Sequence, residues 1–409
     1  MNQAARIVIV GAGHAGGTVA ALLRQHGHEG PIELIGQEPV APYQRPPLSK
    51  AYLKGEAGIE DLKLRPDSFY AEQGIALRLG LQAEAVDRVG KRVRLGDGSH
   101  AAYDILVLAT GSANRKLDLP GAEPGDLLEL RSLADAERLK QALGPGRRLA
   151  VVGGGYVGLE AAAAARSMGA EVTVIELAPR VLARVACEEL SGFFAAYHRS
   201  RGVEILTGVQ VDAVERSGAG PQALRLSDGR RIPCDAVLVG VGARACADLA
   251  DGCGLECEFG VVVDATGRTS DPAVYAIGDV TFRPMPHYGD RHHRLESVPG
   301  VLDQARQAVA AILGQTPPPH EVPWFWSDQY DLKLQIAGVP FEADRRVIRG
   351  DMGAARFSIF HLAADRIAAV EAVNCPPDFM AGRQLIAQAR RVDAEKLADP
   401  RVSMREVLG

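Results

Sequence analysis

Residues 7–16 read IVIVGAGHAG, a short apolar run that passes directly into a glycine-rich turn. The four β-branched residues predict a strand that is buried on both faces. Gly11, Gly13 and Gly16 then have the G-x-G-x-x-G spacing, which allows a tight turn, close approach of a pyrophosphate and close helix–strand packing. A helix over residues 18–25 would direct its free N–H groups toward the phosphates. The stretch therefore predicts a βαβ unit that binds a dinucleotide.

The composition favours a globular protein of two or three domains. The chain has 409 residues, of which 47% are hydrophobic and 24% charged. Its net charge of −5 argues against nucleic-acid binding. We expect neither a membrane span, which needs roughly 18 apolar residues, nor a signal peptide before so early a strand. The cysteines show no disulfide or zinc spacing and predict a cytoplasmic protein with reduced thiols: Cys187, Cys234, Cys246, Cys253, Cys257 and Cys375.

The segment after the first helix offers candidate contacts to a ribose and to a cofactor ring. Residues 32–35 predict the second strand, and Gln37 and Glu38 follow where a Rossmann unit usually places its ribose ligand. A surface loop is the alternative for both. Residues 42–50 read PYQRPPLSK, a proline-stiffened loop in which Ser49 is a candidate cap for a helix over 50–54. Lys50 is then either solvated on a rigid turn or held beside a cofactor ring.

Residues 147–176 repeat the organisation of the N-terminal unit. A strand over 149–152 leads into the glycine turn 153–158 and an alanine-rich helix, and a second strand ends at Glu176. A carboxylate there accepts both ribose hydroxyls and repels a 2′-phosphate, which favours NADH over NADPH. The nearby Arg180 and Arg184 leave the second nucleotide open, because an arginine can receive that phosphate.

Two such fingerprints imply that two nucleotides are bound at once. The obvious pair is a flavin and a nicotinamide, because hydride passes readily between them. Residues 275–280 predict a strand that ends near Asp279, whose carboxylate would accept bonds from a sugar or ribityl chain, or simply shape a turn. A helix is predicted over 297–313.

The last 90 or so residues have a different pattern. Three prolines at 317–319 predict a stiff linker. Alternating apolar and polar residues over 332–336 and 356–361 predict half-exposed antiparallel strands, with a third over 366–373 and a helix over 380–391. Trp324 and Trp326 stand at the start of this region, where core packing and a functional role are both open.

Taken together, these residues resemble those of the FAD-dependent NADH:ferredoxin reductases that supply bacterial cytochromes P450 and aromatic-ring dioxygenases. The resemblance covers nearly the full length. It rests on the following motifs: the two glycine turns, residues 45–50 (RPPLSK), 108–111 (LATG), 275–280 (YAIGDV), 295–299 (LESVP) and 323–329 (PWFWSDQ).

The resemblance implies two Rossmann-like domains and a small C-terminal α+β domain, in the pyridine nucleotide-disulfide reductase-like architecture without redox cysteines. Residues 1–112 and 241–318 would bind FAD, residues 113–240 would bind NAD, and residues 319–409 would form the C-terminal domain. Lys50 would lie near the reactive edge of the isoalloxazine and pair with Glu160, and Trp326 would lie against the outer edge of the flavin.

The residues implied in cofactor binding fall into two sets. Those for FAD are Gly11, Gly13, Ala15, Gly16, Gln37, Glu38, Arg45, Pro47, Lys50, Ala83, Ala109, Thr110, Gly111, Arg131, Gly278, Asp279, Glu296, Ser297, Val298 and Trp326. Those for NADH are Gly153, Gly155, Tyr156, Val157, Gly158, Glu176, Arg184 and Gly242. Two positions depart from the family pattern: Gln37 stands where relatives often have aspartate, and Gly300 where they often have asparagine.

The expected function is transfer of electrons from NADH through FAD, one at a time, to an acidic [2Fe–2S] ferredoxin. A disulfide reductase or NADH oxidase would need cysteines early in the first domain, and none precedes Cys187. A rubredoxin reductase is the closest alternative, and an NADH-responsive flavoprotein with an interaction role is a more distant one. Arginines at 306, 383, 390 and 391 are candidates for a basic docking rim. No metal site is expected, and His292 and His293 are interpreted as loop residues.

Overall fold

The computed structural model describes residues 4–218 and 220–408, which divide into two compact units. The first unit runs up to Gln44 and continues through Glu60–Ala113 and Ala245–Phe325. The second comprises Arg45–Ile59, Asn114–Arg244 and the chain from Trp326 onward. This division groups the C-terminal region with residues 114–244, whereas the three domain boundaries expected from the sequence stay a prediction.

The first unit is built on a five-stranded parallel sheet. Its strands are, in spatial order, Val274–Ala276, Ile105–Leu108, Ile7–Val10, Ile32–Gly36 and Ile75–Leu79. Helices His14–Gln25 and Val298–Leu313 pack on one face and close a core of aliphatic side chains. The inner strands Ile7–Val10 and Ile105–Leu108 are buried along their whole length, as their apolar sequences predict.

The other face of this sheet is covered by a small antiparallel sheet, Ala83–Asp87, Arg92–Leu95 and His100–Ala102. The shorter elements of the unit are strands Val261–Val262, Thr281–Met285 and Arg291–His293, helices Asp67–Glu72 and Asp248–Gly252, and 3₁₀ turns Gly278–Val280 and Pro286–Tyr288. His292 and His293 thus lie in a strand instead of the expected loop. Helix Ile59–Leu62 and strands Ser112–Asn114 and Ala243–Ala245 lie where the chain passes between units.

The second unit repeats the parallel arrangement. Its sheet has the order Val203–Thr207, Glu171–Glu176, Arg148–Val152, Ala236–Val239 and Leu127–Leu128. Strands Val211–Ser217, Gly220–Leu226 and Arg231–Pro233 form an antiparallel sheet that closes a second apolar core. The helices are Ala51–Lys54, Leu133–Ala142, Tyr156–Ser167 and Glu188–Ser200, with a 3₁₀ turn at Pro46–Ser49.

The C-terminal region is a five-stranded sheet with a helix on one face. The sheet order is Trp324–Gln329, Leu332–Gly338, Arg366–Val373, Arg356–Ala363 and Arg345–Asp351. The helices are Pro376–Gln388, Ala394–Ala398 and Met404–Leu408. The three predicted strands are present, and the structure adds the first and last. The predicted α+β character is therefore correct, with two strands more than the alternation showed.

No helix within residues 4–218 and 220–408 combines the length and the apolar character needed to cross a bilayer.

Gly16→Ala tests the close packing of the first helix on the first sheet. A Cβ at Gly16 would lie 1.9 Å from the carbonyl oxygen of Gly11, so the backbone itself must move. We expect a loss of stability of about 1–3 kcal/mol, measured as a lower midpoint of thermal unfolding. Gly192→Ala is the control, because no described atom apart from its chain neighbours and the backbone of its own helix lies within 4 Å of its Cβ position. In a helix that change should raise stability by roughly 0.5–1 kcal/mol. Equal midpoints for both variants would contradict the argument.

Candidate functional site: two glycine turns and a buried carboxylate

The first glycine turn, residues 11–16, brings the start of a helix against the end of the central strand. Gly11 has a φ of +114°, and a Cβ there would lie 2.1 Å from the carbonyl oxygen of Ala109. The helix begins at His14, four residues before the expected start, and its N-cap Gly13 has no side chain to cap the first N–H groups. These groups remain available to an anion at the positive end of the helix dipole.

His14 lies in this turn, and Asp279 is close enough to interact with it electrostatically. Burial lowers the pKa of His14, and the nearby Asp279 carboxylate opposes that shift. The His14 Nδ1 atom is buried and has no hydrogen-bond partner in the described part of the chain. Asp279 lies in the 3₁₀ turn Gly278–Val280 and accepts a hydrogen bond from the Ser112 hydroxyl at 3.1 Å. A buried polar atom beside uncapped N–H groups fits a site that holds a phosphate-bearing cofactor.

The ribose candidates of the first unit differ in their surroundings. Gln37 is exposed, whereas Glu38 is half-buried and accepts a hydrogen bond from the Tyr43 hydroxyl at 2.6 Å. Gly36 lies so close to Ala12 that a Cβ at Gly36 would come within 2.5 Å of the Ala12 Cβ. The strand end is therefore packed directly on the glycine turn, and both residues follow it as the sequence predicts.

Helix Val298–Leu313 begins at a side-chain cap. The Ser297 hydroxyl accepts a hydrogen bond from the Gly300 N–H at 3.0 Å. A Cβ at position 300 would lie 2.7 Å from that same hydroxyl oxygen. Glycine at position 300, where relatives often have asparagine, therefore leaves room for the Ser297 cap.

Thr110, in the turn after strand Ile105–Leu108, donates a hydrogen bond from its hydroxyl to the Cys246 carbonyl at 2.8 Å.

The second glycine turn, residues 153–158, has the same construction. Gly153 has a φ of +109°, and a Cβ there would lie 2.4 Å from the carbonyl oxygen of Gly240. A Cβ at Gly158 would lie 2.4 Å from the carbonyl oxygen of Gly153. At the helix N-cap, Gly155, no described atom lies within 4 Å of the Cβ position. This open space above the helix start can admit a pyrophosphate.

Glu176 is fixed at the end of its strand by two backbone groups. Its Oε2 accepts the N–H of Gly154 at 2.6 Å and its Oε1 accepts the N–H of Ala178 at 2.8 Å. Both bonds tie the carboxylate to the second glycine turn and the following loop.

Arg184 lies beside Gly242, where an added Cβ would come within 2.9 Å of the guanidinium. The Tyr156 hydroxyl donates to the Val185 carbonyl at 3.3 Å, and Val157 is exposed.

A buried carboxylate in the second unit binds three side chains. Glu160 is 6% exposed, and its Oε2 lies 2.7 Å from the Lys50 Nζ. The Ser49 hydroxyl donates to Oε2 at 2.5 Å and the Ser327 hydroxyl donates to Oε1 at 2.6 Å. Ser49 was expected to cap a helix, but the cap position of helix Ala51–Lys54 is Lys50. Ser49 is instead the buried last residue of the 3₁₀ turn Pro46–Ser49, and its hydroxyl binds the carboxylate.

The hydrogen bonds continue from Ser327 into the interior. The Gln329 amide donates to the Ser327 hydroxyl at 3.1 Å, and the Gln329 oxygen lies 2.7 Å from the His198 Nε2. Burial lowers the pKa of His198. Sequence reasoning missed Ser327 as a partner of Glu160, and it missed the continuation of the network through Gln329 to His198. No local pattern signals this contact, because 167 residues separate Ser327 from Glu160.

The remaining predicted flavin contacts of this unit are Arg45, Pro47, Arg131 and Trp326. The Arg45 guanidinium donates to the Arg131 carbonyl at 2.5 Å. Pro47 is in the 3₁₀ turn, and Trp326 is half-buried in strand Trp324–Gln329. The predicted FAD residues are thus distributed over both units. The first unit holds Gly11, Gly13, Ala15, Gly16, Gln37, Glu38, Ala83, Ala109, Thr110, Gly111, Gly278, Asp279, Glu296, Ser297 and Val298, and the second holds Arg45, Pro47, Lys50, Arg131 and Trp326.

Comparison with known proteins identifies the family. The chain matches the model of the pyridine nucleotide-disulphide oxidoreductases over residues 5–310 and that of the reductase C-terminal domain over residues 324–408. It is 52% identical to the probable ferredoxin reductase CtmF of Castellaniella defragrans, across 99% of both chains. The chain belongs to the ferredoxin reductases of this family. It is also 41% identical to putidaredoxin reductase CamA of Pseudomonas putida, over 100% of this chain and 98% of the relative.

A solved structure agrees with this assignment. The crystal structure of the covalent putidaredoxin reductase–putidaredoxin complex superposes with a TM-score of 0.97 and 41% identity, covering 100% of this chain and 99% of that one. The predicted family, the fold class and the enzyme class of FAD-dependent oxidoreductase are confirmed. The glycine turns and the orphaned His14 nitrogen fit the FAD and nicotinamide nucleotide that this family uses.

Ser327→Ala tests whether the Glu160 carboxylate depends on its serine donors. The change removes a hydrogen bond to a buried charged group and leaves the Gln329 amide with one acceptor fewer. We expect a loss of about 1–3 kcal/mol of stability, measured by urea unfolding of the holoenzyme. Ser68→Ala, on the exposed side of helix Asp67–Glu72, is the control and should stay within about 0.5 kcal/mol of wild type. A loss no greater than that of the control would count against the network.

Proposed function

We propose that the chain transfers electrons from NADH through bound FAD to an acidic [2Fe–2S] ferredoxin, which serves a cytochrome P450 or a ring-hydroxylating dioxygenase. The observation that supports it most strongly is the pair of glycine turns, one in each unit, each built by the same backbone contact. A rubredoxin reductase shares these features and differs only in its acceptor. An NADH-responsive flavoprotein with an interaction role would reduce no acceptor quickly.

The first glycine turn would hold the FAD pyrophosphate, and the second would hold that of NADH. The Asp279 carboxylate would accept hydroxyl donors of FAD, and the Glu176 carboxylate those of the adenosine ribose of NADH. Bound FAD would supply the chemistry that accepts a hydride and releases two electrons one at a time. Gly11, Gly16, Gly153 and Gly158 act here by keeping the backbone close enough for a phosphate to meet the helix N–H groups.

Lys50 and Glu160 are proposed as the catalytic pair. The Glu160 carboxylate receives the ammonium of Lys50 and two serine hydroxyls, so that the ammonium is held in one position. A fixed cation stabilises negative charge that develops nearby without a cost of reorganisation. We propose that Lys50 exerts this effect on the flavin ring.

The ferredoxin would dock through complementary charge. Arg306, Arg390 and Arg391 are exposed, and the Arg383 guanidinium lies over the Phe379 ring. Arg306 is paired with Glu321 at 2.5 Å, which reduces its net contribution. Arg390 and Arg391 are therefore the stronger candidates for contacting an acidic partner, and the rate of ferredoxin reduction should fall as the salt concentration rises.

We further propose a cytoplasmic location, since no disulfide forms among the described cysteines.

Stopped-flow mixing tests the function and the role of Lys50 together. Wild-type holoenzyme should lose its flavin absorbance rapidly with NADH and regain it rapidly with an acidic [2Fe–2S] ferredoxin. Lys50→Met should retain FAD and slow reduction by NADH by tenfold or more, which corresponds to about 1.4 kcal/mol of barrier. Lys54→Met is the control, since Lys54 pairs only with the exposed Glu56 among the bonds resolved here.

Three outcomes would oppose these proposals. Slow reoxidation by every [2Fe–2S] ferredoxin, with fast reoxidation by rubredoxin, would favour the rubredoxin reductase. Slow reoxidation by both carriers would favour an interaction role. An unchanged reduction rate in Lys50→Met would reject the proposed role of the lysine alone.

Glu176→Ala tests nucleotide selection. Loss of the carboxylate removes an acceptor for the ribose hydroxyls and a charge that repels a 2′-phosphate. We expect the ratio of kcat/KM for NADH over NADPH to fall by roughly 10- to 100-fold, as for loss of about 1.5–3 kcal/mol in hydrogen bonds to a charged group. Glu171→Ala, exposed on the same strand, should leave the ratio unchanged. A wild-type enzyme without preference for NADH would overturn the assignment.

A further inference from the structure

Three buried side chains with metal-binding chemistry meet in the second unit, at a place that the proposed function does not use. Cys187 precedes helix Glu188–Ser200, and His361 and Glu371 lie on the adjacent strands Arg356–Ala363 and Arg366–Val373. The three residues are 9%, 5% and 4% exposed. The sulfur, a ring nitrogen and a carboxylate oxygen all lie within 4.8 Å of one another.

The contacts inside this cluster leave one group unsatisfied. The Cys187 thiol donates to Glu371 Oε2 at 2.8 Å, and the Cys187 N–H donates to Oε1 at 3.2 Å. His361 Nε2 lies 3.3 Å from the same Oε2, yet it makes no hydrogen bond with any group that the structure describes. A buried ring nitrogen without a hydrogen bond is costly. In the neutral ring, the lone pair of this nitrogen can bind a cation.

We propose that Cys187, His361 and Glu371 bind one divalent transition-metal ion of the Zn²⁺ type. Thiolate sulfur, imidazole nitrogen and carboxylate oxygen are the protein ligands of zinc. Bond lengths of about 2.0–2.3 Å place tetrahedral ligand atoms about 3.3–3.8 Å apart. The carboxylate oxygen lies 2.8 Å from the sulfur and 3.3 Å from the ring nitrogen, and the sulfur and the nitrogen lie within 4.8 Å of each other. Side-chain movements of up to about 1 Å would reach the tetrahedral arrangement. A water molecule would complete the fourth position.

The charges balance on binding. The ion takes the place of the proton shared by Cys187 and Glu371, so that one proton is released for each ion bound. The resulting thiolate and carboxylate neutralise the two positive charges, and His361 binds as the neutral ring. Arg346, the cross-strand neighbour of His361, lies 3.0 Å from the Glu189 carboxylate, and its charge is therefore already met.

Other chemistries fit the cluster less well. Ca²⁺ and Mg²⁺ prefer several oxygen ligands, and the cluster provides one carboxylate. A reactive thiol needs a stabilised thiolate, whereas burial and the Glu371 carboxylate raise the pKa of Cys187 well above its usual range. A bound cation would offset both effects, burial and the nearby carboxylate, because its positive charge stabilises the negative charge of the thiolate.

The ion would join distant parts of the chain. Cys187 and Glu371 are 184 residues apart, and the metal would bind the start of helix Glu188–Ser200 to the C-terminal sheet. None of the three ligands belongs to the residues proposed to bind FAD or NADH. The site is therefore structural, and it should raise the stability of the folded chain in proportion to its occupancy.

Metal titration of the chelator-treated holoenzyme tests the proposal. We expect Zn²⁺ to bind with one equivalent per chain in calorimetry and to raise the midpoint of thermal unfolding. Co²⁺ should give a thiolate-to-cobalt charge-transfer band and tetrahedral ligand-field bands in the red, beyond the flavin absorption. The absence of a bound equivalent, or a Co²⁺ spectrum without thiolate character, would overturn the proposal without any variant.

Variants then locate the site. Cys187→Ser and His361→Gln should each weaken Zn²⁺ binding by more than about tenfold. Cys234→Ser is the matched control, because Cys234 is a buried thiol of the same unit outside the cluster, and it should bind like wild type. If Cys187→Ser does not fold, Glu371→Gln provides the same comparison. Unchanged affinity in the ligand variants, or loss of binding only on replacement of His292 and His293, would reject the site.

Discussion

The absence of a Cβ at a few glycines is the constraint on which both nucleotide-binding units depend. At Gly11 and Gly153 a side chain would lie 2.1 and 2.4 Å from the carbonyl oxygen of a neighbouring strand turn. At Gly16 and Gly158 it would meet the carbonyl oxygen of the turn itself, at 1.9 and 2.4 Å. Because the backbone approaches so closely, each helix begins directly at the end of its strand. The anion site is therefore a property of the packing, and no charged side chain is needed to create it.

A contribution to folding stability does not explain why a carboxylate is buried at Glu160. A buried ion pair is weak evidence for stability, because desolvation offsets much of the attraction. Glu160 nevertheless lies in helix Tyr156–Ser167, which buries eight of its residues, and takes three donors there. An apolar residue would serve the packing of that helix equally well. The arrangement is better explained by the ammonium of Lys50, whose place is determined by a carboxylate that is itself held by Ser49 and Ser327.

The features predictable from sequence are those that depend on neighbours along the chain. The strand at 7–10, the glycine turns and Glu176 at the end of its strand follow from short patterns. Strand Arg345–Asp351 did not follow from a short pattern, because charged residues occupy most of its positions and only Val347 and Arg349 are buried. The serine partners of Glu160 and the cluster around Cys187 join residues more than a hundred positions apart, whereas the Lys50–Glu160 pair was expected from the family resemblance. Neither hydrophobic periodicity nor cysteine spacing contains that information, and the expectation of no metal site came from spacing alone.

The distribution of sulfur bears on how electrons can leave the enzyme. The chain has no cysteine before Cys187, and the described cysteines form no disulfide. Cys246 contacts the turn after strand Ile105–Leu108 through its backbone. The Cys246 carbonyl accepts a hydrogen bond from the Thr110 hydroxyl, and the Cys246 N–H donates to the Gly111 carbonyl. Cys187 is bonded to a carboxylate, and burial raises the pKa of Cys234 to about 11. Exchange chemistry requires a thiolate and a second sulfur within reach. Burial also raises the pKa of Cys253 and of Cys257, two thiols close enough to interact electrostatically, and so disfavours a reactive thiolate at this pair. An acceptor that takes electrons singly therefore fits the chain better than a disulfide.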